Sequence, residues 1–147
     1  MFNNDDWLNQ LQEDVVDPGR EIVDPHHHLW PQPDMHYGVD HLLADIGSGH
    51  NVVETVFMEC GAAYREDGPD YLKPVGETEF VASAAATLVA RGASSRIAGI
   101  ISHADLTGDH LDDVLDAHDT ASRALFRGIR HAASHDPHPE ALTIPGR

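Results

Sequence analysis

Four apolar, β-branched segments alternate along the chain with segments whose apolar residues recur at helical spacing. Val39, Leu42, Leu43 and Ile46 follow the i, i+3, i+4, i+7 pattern of an amphipathic helix. The strands are predicted over residues 21–26, 51–60, 96–106 and 125–132, and the helices over 39–46, 77–91 and 109–122. Strands that alternate with amphipathic helices are typical of a parallel sheet with right-handed crossovers. The pattern therefore predicts an α/β fold of about four parallel strands and three helices.

The ends of this pattern define the predicted domain organisation. Residues 1–19 are polar and acidic without a sustained period, and we interpret them as an N-terminal arm. Residues 20–133 carry the alternating pattern, and residues 134–147 form a proline-containing, irregular tail. Within the domain we expect Pro25 to end the first strand and Asp109 to cap the third helix.

Charge and cysteine content narrow the function classes. The chain has 147 residues with 25 acidic and 9 basic side chains, a formal net charge of −16. Nucleic-acid binding needs lysine and arginine to replace counterions at phosphates, so we expect no nucleic-acid partner. We also expect no membrane partner, because the sequence has no apolar run long enough for a membrane span. The single cysteine, Cys60, follows an apolar run, which indicates a buried and unreactive thiol. With no basic, apolar leader at its start, the sequence predicts a cytoplasmic protein.

Three consecutive histidines among the 12 of the chain stand at the end of the first predicted strand. Side chains alternate along an extended segment, so His26 and His28 point to one side and His27 to the other. Two imidazoles at this spacing can approach one divalent ion, such as Zn²⁺, at ~2.0–2.1 Å each. The carboxyl end of a parallel strand is also where α/β folds place their active sites. His26 and His28 are therefore the candidate metal ligands and catalytic residues.

The residues around these histidines resemble a known family. The segment at 22–30, IVDPHHHLW, is similar to the first-strand signature of the amidohydrolase superfamily. More narrowly, it resembles the amidohydrolase-related, lactonase-like branch, which includes fuconolactonase-like and pyrone-dicarboxylate-hydrolase-like enzymes. Two further segments are similar to that branch, VFMECGAAYREDGP with KPVGETEF within 56–80 and FRGIRHAA at 126–133.

This resemblance implies a (β/α)8 TIM barrel that hydrolyses lactones, esters or amides. A divalent metal or a histidine cluster at the strand ends activates the water, and some lactonase-like relatives work without a tightly bound metal. An arginine near the end of the fourth strand meets an anionic substrate in the family, which points to Arg130 and less strongly to Arg127. A guanidinium binds a carboxylate bidentately, so the implied small-molecule substrate is a carboxylated lactone or a similar compound.

Two further strand-end residues, Glu59 and His103, are candidate substrate contacts. Glu59 ends the second predicted strand and has the alternatives of facing solvent or pairing with an arginine. His103 lies at the end of the third strand, where a loop histidine with a backbone partner is the alternative. Asp105 and His131 are weaker candidates for a role at the site. Tyr64 in the second loop is equally a candidate substrate contact and a surface aromatic residue. We interpret His118 as a packing residue on the apolar face of a helix.

A complete barrel has eight strands and about 250 residues, whereas the pattern here supplies four strands. We therefore expect the N-terminal half of such a hydrolase, inactive alone, with a truncated product, a fragment or a split subunit as possible origins. Its expected partners are a second copy of the chain or a complementing C-terminal half. The alternative is a non-catalytic fragment or subunit that retains only a metal or ligand site.

Overall fold

The computed structural model of the protein describes residues 5–8, 10–11, 13–132 and 138. The strands are β1 (Glu21–His27), β2 (Asn51–Met58), β3 (Arg96–His103) and β4 (Phe126–Arg130). The helices are α1 (Asp5–Leu8), α2 (Val39–Ile46), α3 (Val75–Ala90) and α4 (Leu111–Ala121), with short 3-10 segments at Pro33–Met35 and Asp70–Leu72. The predicted tail lies outside the described residues except for His138.

The four strands form one parallel sheet in the order β1-β2-β3-β4. Each strand therefore lies beside its sequence neighbour, and the order does not reverse as it does in doubly wound folds. Each of the three ladders contains at least one register shift, and such irregularities bend strands and increase their twist. The α/β class and the four-strand parallel sheet are confirmed, and this arrangement is consistent with half of a barrel.

The core lies between one face of the sheet and the three connecting helices. Phe57 of β2 and Ile100 of β3 are fully buried there against Val81 and Leu88 of α3 and Leu42 of α2. Continuous burial of this kind stabilises a domain through the removal of apolar surface from water. The helices therefore cover one face of the sheet.

Successive side chains of a strand point to opposite faces, so every second residue of these strands lies on the face of the sheet that is turned away from the core. On this helix-free face Val56, Met58 and Ile101 are only partly buried, and Val23 of β1 is 52% exposed. We call this surface the inner face, because it would line the interior if the sheet closed into a barrel.

A buried polar network joins α3, α4 and β3. The Nε2 of His118 lies 2.9 Å from the carbonyl oxygen of His103, and its Nδ1 lies 2.9 Å from the hydroxyl of Thr78. A carbonyl accepts only, so Nε2 carries the proton and Nδ1 accepts from Thr78. Thr78 in turn accepts from Ser102 at 2.8 Å. His118 is thus a buried residue, as the sequence predicts, and it also connects α4 to the carboxyl end of β3.

Several element boundaries differ from the sequence predictions. β1 runs through Pro25 to His27, because the proline lies in an edge strand at a register irregularity, where the missing N–H costs no regular ladder bond. Asp109 does not cap α4, which begins at Leu111 after His110. The predicted strands 51–60, 96–106 and 125–132 end earlier, at residues 58, 103 and 130, where the backbone turns into the loops that carry the polar side chains.

Candidate metal and substrate site

The structure brings His26 and His28 together at the carboxyl end of β1. Their Nε2 atoms lie 3.2 Å apart, and the two rings meet edge to face with centroids 4.9 Å apart. His27 points to the other side, where it is buried and its Nε2 lies 3.1 Å from the hydroxyl of Thr55. The alternation of the strand thus separates one histidine for packing from two that converge on the exposed side.

A backbone carbonyl sets the proton position on His28. Its Nδ1 lies 2.8 Å from the carbonyl oxygen of Met58, and since that oxygen can only accept, Nδ1 donates. Neutral His28 therefore keeps its Nε2 lone pair free on the side that faces His26. Partial burial lowers the pKa of His28 despite this hydrogen bond, which favours the neutral form. Such a carbonyl partner is the usual orienting contact of a metal-bound histidine.

The geometry of the pair fits a shared divalent ion. Two nitrogens that each lie ~2.0–2.1 Å from one ion at a near-tetrahedral angle are about 3.3 Å apart, close to the 3.2 Å between these Nε2 atoms. Without an ion, the same spacing suits an N–H···N hydrogen bond from His26 to His28. Among the residues that the structure describes, no group of three or more His, Cys, Asp or Glu side chains is placed to hold a metal. The described part of the chain thus offers two candidate ligands, His26 and His28.

Glu59 and Arg130 form an ion pair beside the histidines. The Nε of Arg130 donates to Oε1 of Glu59 at 2.7 Å, and Nη2 donates to the Glu59 backbone carbonyl. Glu59 directly follows Met58, whose carbonyl oxygen accepts from His28, so the pair lies near that imidazole. Among the smaller influences on the pKa of His28, the arginine lowers it and the glutamate raises it. The Arg130 side chain is 40% exposed and that of Glu59 is 15% exposed. Glu59 thus holds the guanidinium in place, and Nη1 makes no hydrogen bond to a described residue.

Within the described residues, the other two candidate substrate contacts make no hydrogen bond or ion pair with Glu59 or Arg130, although His103 lies level with Arg130 in the ladder between β3 and β4. Arg127 donates from Nη1 to the carbonyl oxygens of Ala124 and Phe126, each at 2.9 Å, and joins no ion pair within the described ranges. His103 meets His131 edge to face at 5.8 Å between centroids. It also lines a cavity of about 190 Å³ between the loop after β3 and the start of α4.

The sequence reasoning missed a buried carboxylate at the start of α3. Glu77 is buried, and its Oε1 accepts from the N–H of Ala62 at 2.7 Å and of Cys60 at 3.2 Å. Burial raises the pKa of Glu77 despite these bonds. Next to it, a Cβ on Gly76 would meet backbone atoms of Ala63 and Arg65 at 2.6 Å. These contacts hold the loop after β2, which begins with Glu59, against the start of α3.

Two other residues of this loop have environments that bear on reactivity. Cys60 lies half-buried with its Sγ 3.5 Å from Oε1 of Glu77. Burial and this neighbouring carboxylate raise the pKa of the Cys60 thiol to about 12. Burial also raises the pKa of Tyr64, with Glu77 as a further cause. Because the Cys60 thiol stays protonated near neutral pH, it is a poor nucleophile there.

Comparisons with protein-family models, with curated proteins and with solved structures found nothing that matches this chain. The resemblance to amidohydrolase-related enzymes is therefore confined to the short segments at 22–30, within 56–80 and at 126–133. Within the described residues, no helix has the length and apolar character needed to cross a membrane.

Proposed function

We propose that this chain contributes the metal-binding and substrate-anion-binding strands of a hydrolase that acts on a carboxylated lactone or a related ester or amide. The observation that carries the proposal is the convergence of the His26 and His28 Nε2 atoms at 3.2 Å, with the His28 tautomer set by Met58. A divalent ion such as Zn²⁺ held here would lower the pKa of a bound water towards ~7. The chain's own residues supply the binding and the orientation.

Arg130 is the proposed anchor for the substrate carboxylate. Glu59 occupies its Nε and holds the guanidinium plane, while Nη1 stays available on the partly exposed side. The attraction between the guanidinium and a substrate carboxylate strengthens as water is excluded from the site. In this role Glu59 acts through Arg130 and is a positioning residue.

The second candidate function is metal or ligand binding without turnover. It is favoured by the count of two converging imidazoles among the described residues, one fewer than the three protein ligands of typical catalytic zinc sites. A general base for the attacking water is likewise not identified, since Glu59 is engaged by Arg130. Loss of a general base costs ~10²–10⁴-fold in rate.

Calorimetric titration with Zn²⁺ tests the site directly. The wild-type chain is expected to bind one ion more weakly than a three-histidine site does, and His26→Ala/His28→Ala should abolish the binding. The matched control, His50→Ala/His110→Ala, removes two histidines elsewhere and should bind as the wild type does. Equal binding by the wild type and the His26/His28 variant would refute the site.

Turnover then separates the two functions. We expect hydrolysis of aryl esters and sugar lactones to depend on added Zn²⁺ and to be slow in the isolated chain. For the hydrolase, Arg130→Ala should reduce the rate with a carboxylated lactone more than with a neutral one. Zinc binding without any Zn²⁺-dependent hydrolysis would support the binding function instead.

A further inference from the structure

The loop after β3 and the start of α4 border a cavity of about 190 Å³ at the carboxyl end of the sheet. Its lining includes none of the residues His26, His28, Glu59 and Arg130, so the cavity is separate from the site described above. A cavity of about 150 Å³ holds one benzene ring. This cavity is therefore large enough for a single six-membered ring with a short substituent.

The buried part of the cavity lining is apolar and comes from three parts of the fold. Pro74 directly precedes α3, Ala104 directly follows β3 and Val114 lies in α4, and all three residues are buried. An apolar group that enters the cavity would be removed from water against these side chains. Small-molecule sites typically combine such apolar walls with a few polar groups that fix the orientation of the ligand.

Two stacked rings form another part of the lining. Tyr71 and His110 both line the cavity, and their rings lie nearly parallel, with centroids 4.2 Å apart and an angle of 18° between the planes. Tyr71 belongs to the 3-10 segment Asp70–Leu72 and His110 directly precedes α4, so the stack joins two separate elements. Aromatic rings favour contact with a further ring, and their faces attract cations.

The exposed part of the lining is acidic. Asp70, Asp105 and Asp109 contribute to it, and the described residues of the lining include no lysine or arginine. Oδ1 of Asp105 accepts from the hydroxyl and the N–H of Thr107, which lowers the pKa of that carboxyl and keeps it ionised. Asp109 joins no ion pair in the part of the chain that the structure describes, whereas Asp70 pairs with Lys73.

The balance of charge around the cavity is negative. Helix starts carry a partial positive charge of roughly half a unit each, and α3 and α4 both begin at the cavity. The full charges of Asp105 and Asp109 outweigh these partial charges, and the net charge of −16 on the chain acts in the same direction. The cavity therefore attracts a cation and repels an anion.

We propose that this cavity binds a small organic cation, in which one aromatic ring carries a protonated amine on a short arm. The ring would pack against the buried apolar lining and beside the stack of Tyr71 and His110, and the ammonium group would lie near Asp105 and Asp109. Each part of the ligand thus corresponds to one part of the lining. The proposal goes beyond the hydrolase function and uses neither the histidine pair nor Arg130.

Amide chemical shifts of the ¹⁵N-labelled chain report binding at the cavity itself. Benzylamine has the proposed chemistry, benzyl alcohol is its neutral match and benzoate is its anionic match. We expect benzylamine to shift the amides of Gly108 and Val114 with a dissociation constant about fivefold lower than that of benzyl alcohol. Benzoate should leave both amides unchanged even where it binds at Arg130. Equal dissociation constants for benzylamine and benzyl alcohol, or no shift of these amides with benzylamine, would overturn the proposal.

Removing two carboxylates tests the acidic part of the lining. Asp105→Asn/Asp109→Asn removes both charges, while the amide oxygen at position 105 can still accept from Thr107, and this variant should bind benzylamine and benzyl alcohol equally. The control Asp116→Asn/Asp119→Asn makes the same change in net charge at exposed positions of α4 outside the lining, and should retain the preference for benzylamine. If the control loses that preference to the same extent, the net charge of the chain causes it and the cavity is not a specific site.

Replacing the exposed ring of the stack tests where the ligand ring lies. Tyr71→Leu keeps an apolar side chain and removes the aromatic face, so we expect benzylamine to bind about threefold more weakly. Binding of n-butylamine, which has no ring, should change little in the same variant. Circular dichroism establishes that each variant is folded. Unchanged benzylamine binding in folded Tyr71→Leu would contradict the proposed position of the ring.

Discussion

Replacing the buried carboxylate of Glu77 is the sharpest test of how the loop after β2 is held. Its Oε1 accepts from the N–H groups of Ala62 and Cys60, and Ala62 is only 1% exposed. Glu77→Ala removes the acceptor of both N–H groups, one of which belongs to the buried Ala62 and the other to the half-buried Cys60. Glu77→Gln keeps a carbonyl oxygen at the same position and removes only the charge, so it is the matched control.

The expected magnitudes follow from these contacts. A buried donor that loses its acceptor costs ≈ 1–3 kcal/mol, so two such donors make Glu77→Ala about 3 kcal/mol less stable than the wild type. Glu77→Gln keeps an acceptor for the N–H groups and removes the burial cost of the charge, which is the main cause of the raised pKa of Glu77, so we expect its free energy of unfolding to stay within about 1 kcal/mol of the wild type. For a domain with a total stability of roughly 5–15 kcal/mol, the alanine variant is a large loss.

Urea denaturation with linear extrapolation measures the free energy of unfolding of both variants and of the wild type. The pH dependence supplies a second readout, because burial raises the folded-state pKa of Glu77 above its ordinary value of 4.5. Between 4.5 and that raised pKa, the folded wild type holds a proton that the unfolded chain has released, so its stability falls as pH rises. Relative to wild type, the glutamine variant should therefore gain stability as pH rises through this window. Equal stabilities of the alanine and glutamine variants would refute the reasoning.

Three further predictions concern neighbouring parts of the fold. Gly76→Ala should destabilise the chain by about 1–3 kcal/mol, because the new Cβ meets two backbone atoms of the loop at 2.6 Å, whereas Gly19→Ala, with nothing within 4 Å, should be neutral in the same urea assay. Burial lowers the folded-state pKa of His118 below its ordinary value of 6.5, so the unfolded chain binds a proton there that the folded chain does not. Stability should fall as pH drops below 6.5, by up to about 1.4 kcal/mol per pH unit, and an unchanged slope in His118→Gln would contradict this. Cys60, with its pKa raised to about 12, should react with a thiol reagent at pH 8 far more slowly in the folded chain than in urea, and equal rates would show that the thiol is not protected.

The sequence predicts the local elements well because hydrophobic periodicity depends on neighbouring residues. The helix at 39–46 ends where its apolar spacing ends, and all four apolar runs become strands of one parallel sheet. The alternation in β1 likewise places His26 and His28 on one side and His27 on the other, since side-chain direction in a strand is a property of the backbone. Boundaries were less accurate at Pro25 and Asp109, where the neighbouring strand or turn decides the outcome.

The partners of the side chains were decided only by the tertiary structure. Glu59 and Arg130 are 71 positions apart, and their pairing depends on the order of the strands in the sheet. The acceptor role of Glu77 likewise depends on the path of a loop that crosses the start of α3. No periodicity encodes such contacts, because they arise when separate elements pack and buried polar groups must find partners. The sequence alone thus determined which candidate polar residues stand at the strand ends, and packing determined which of them meet.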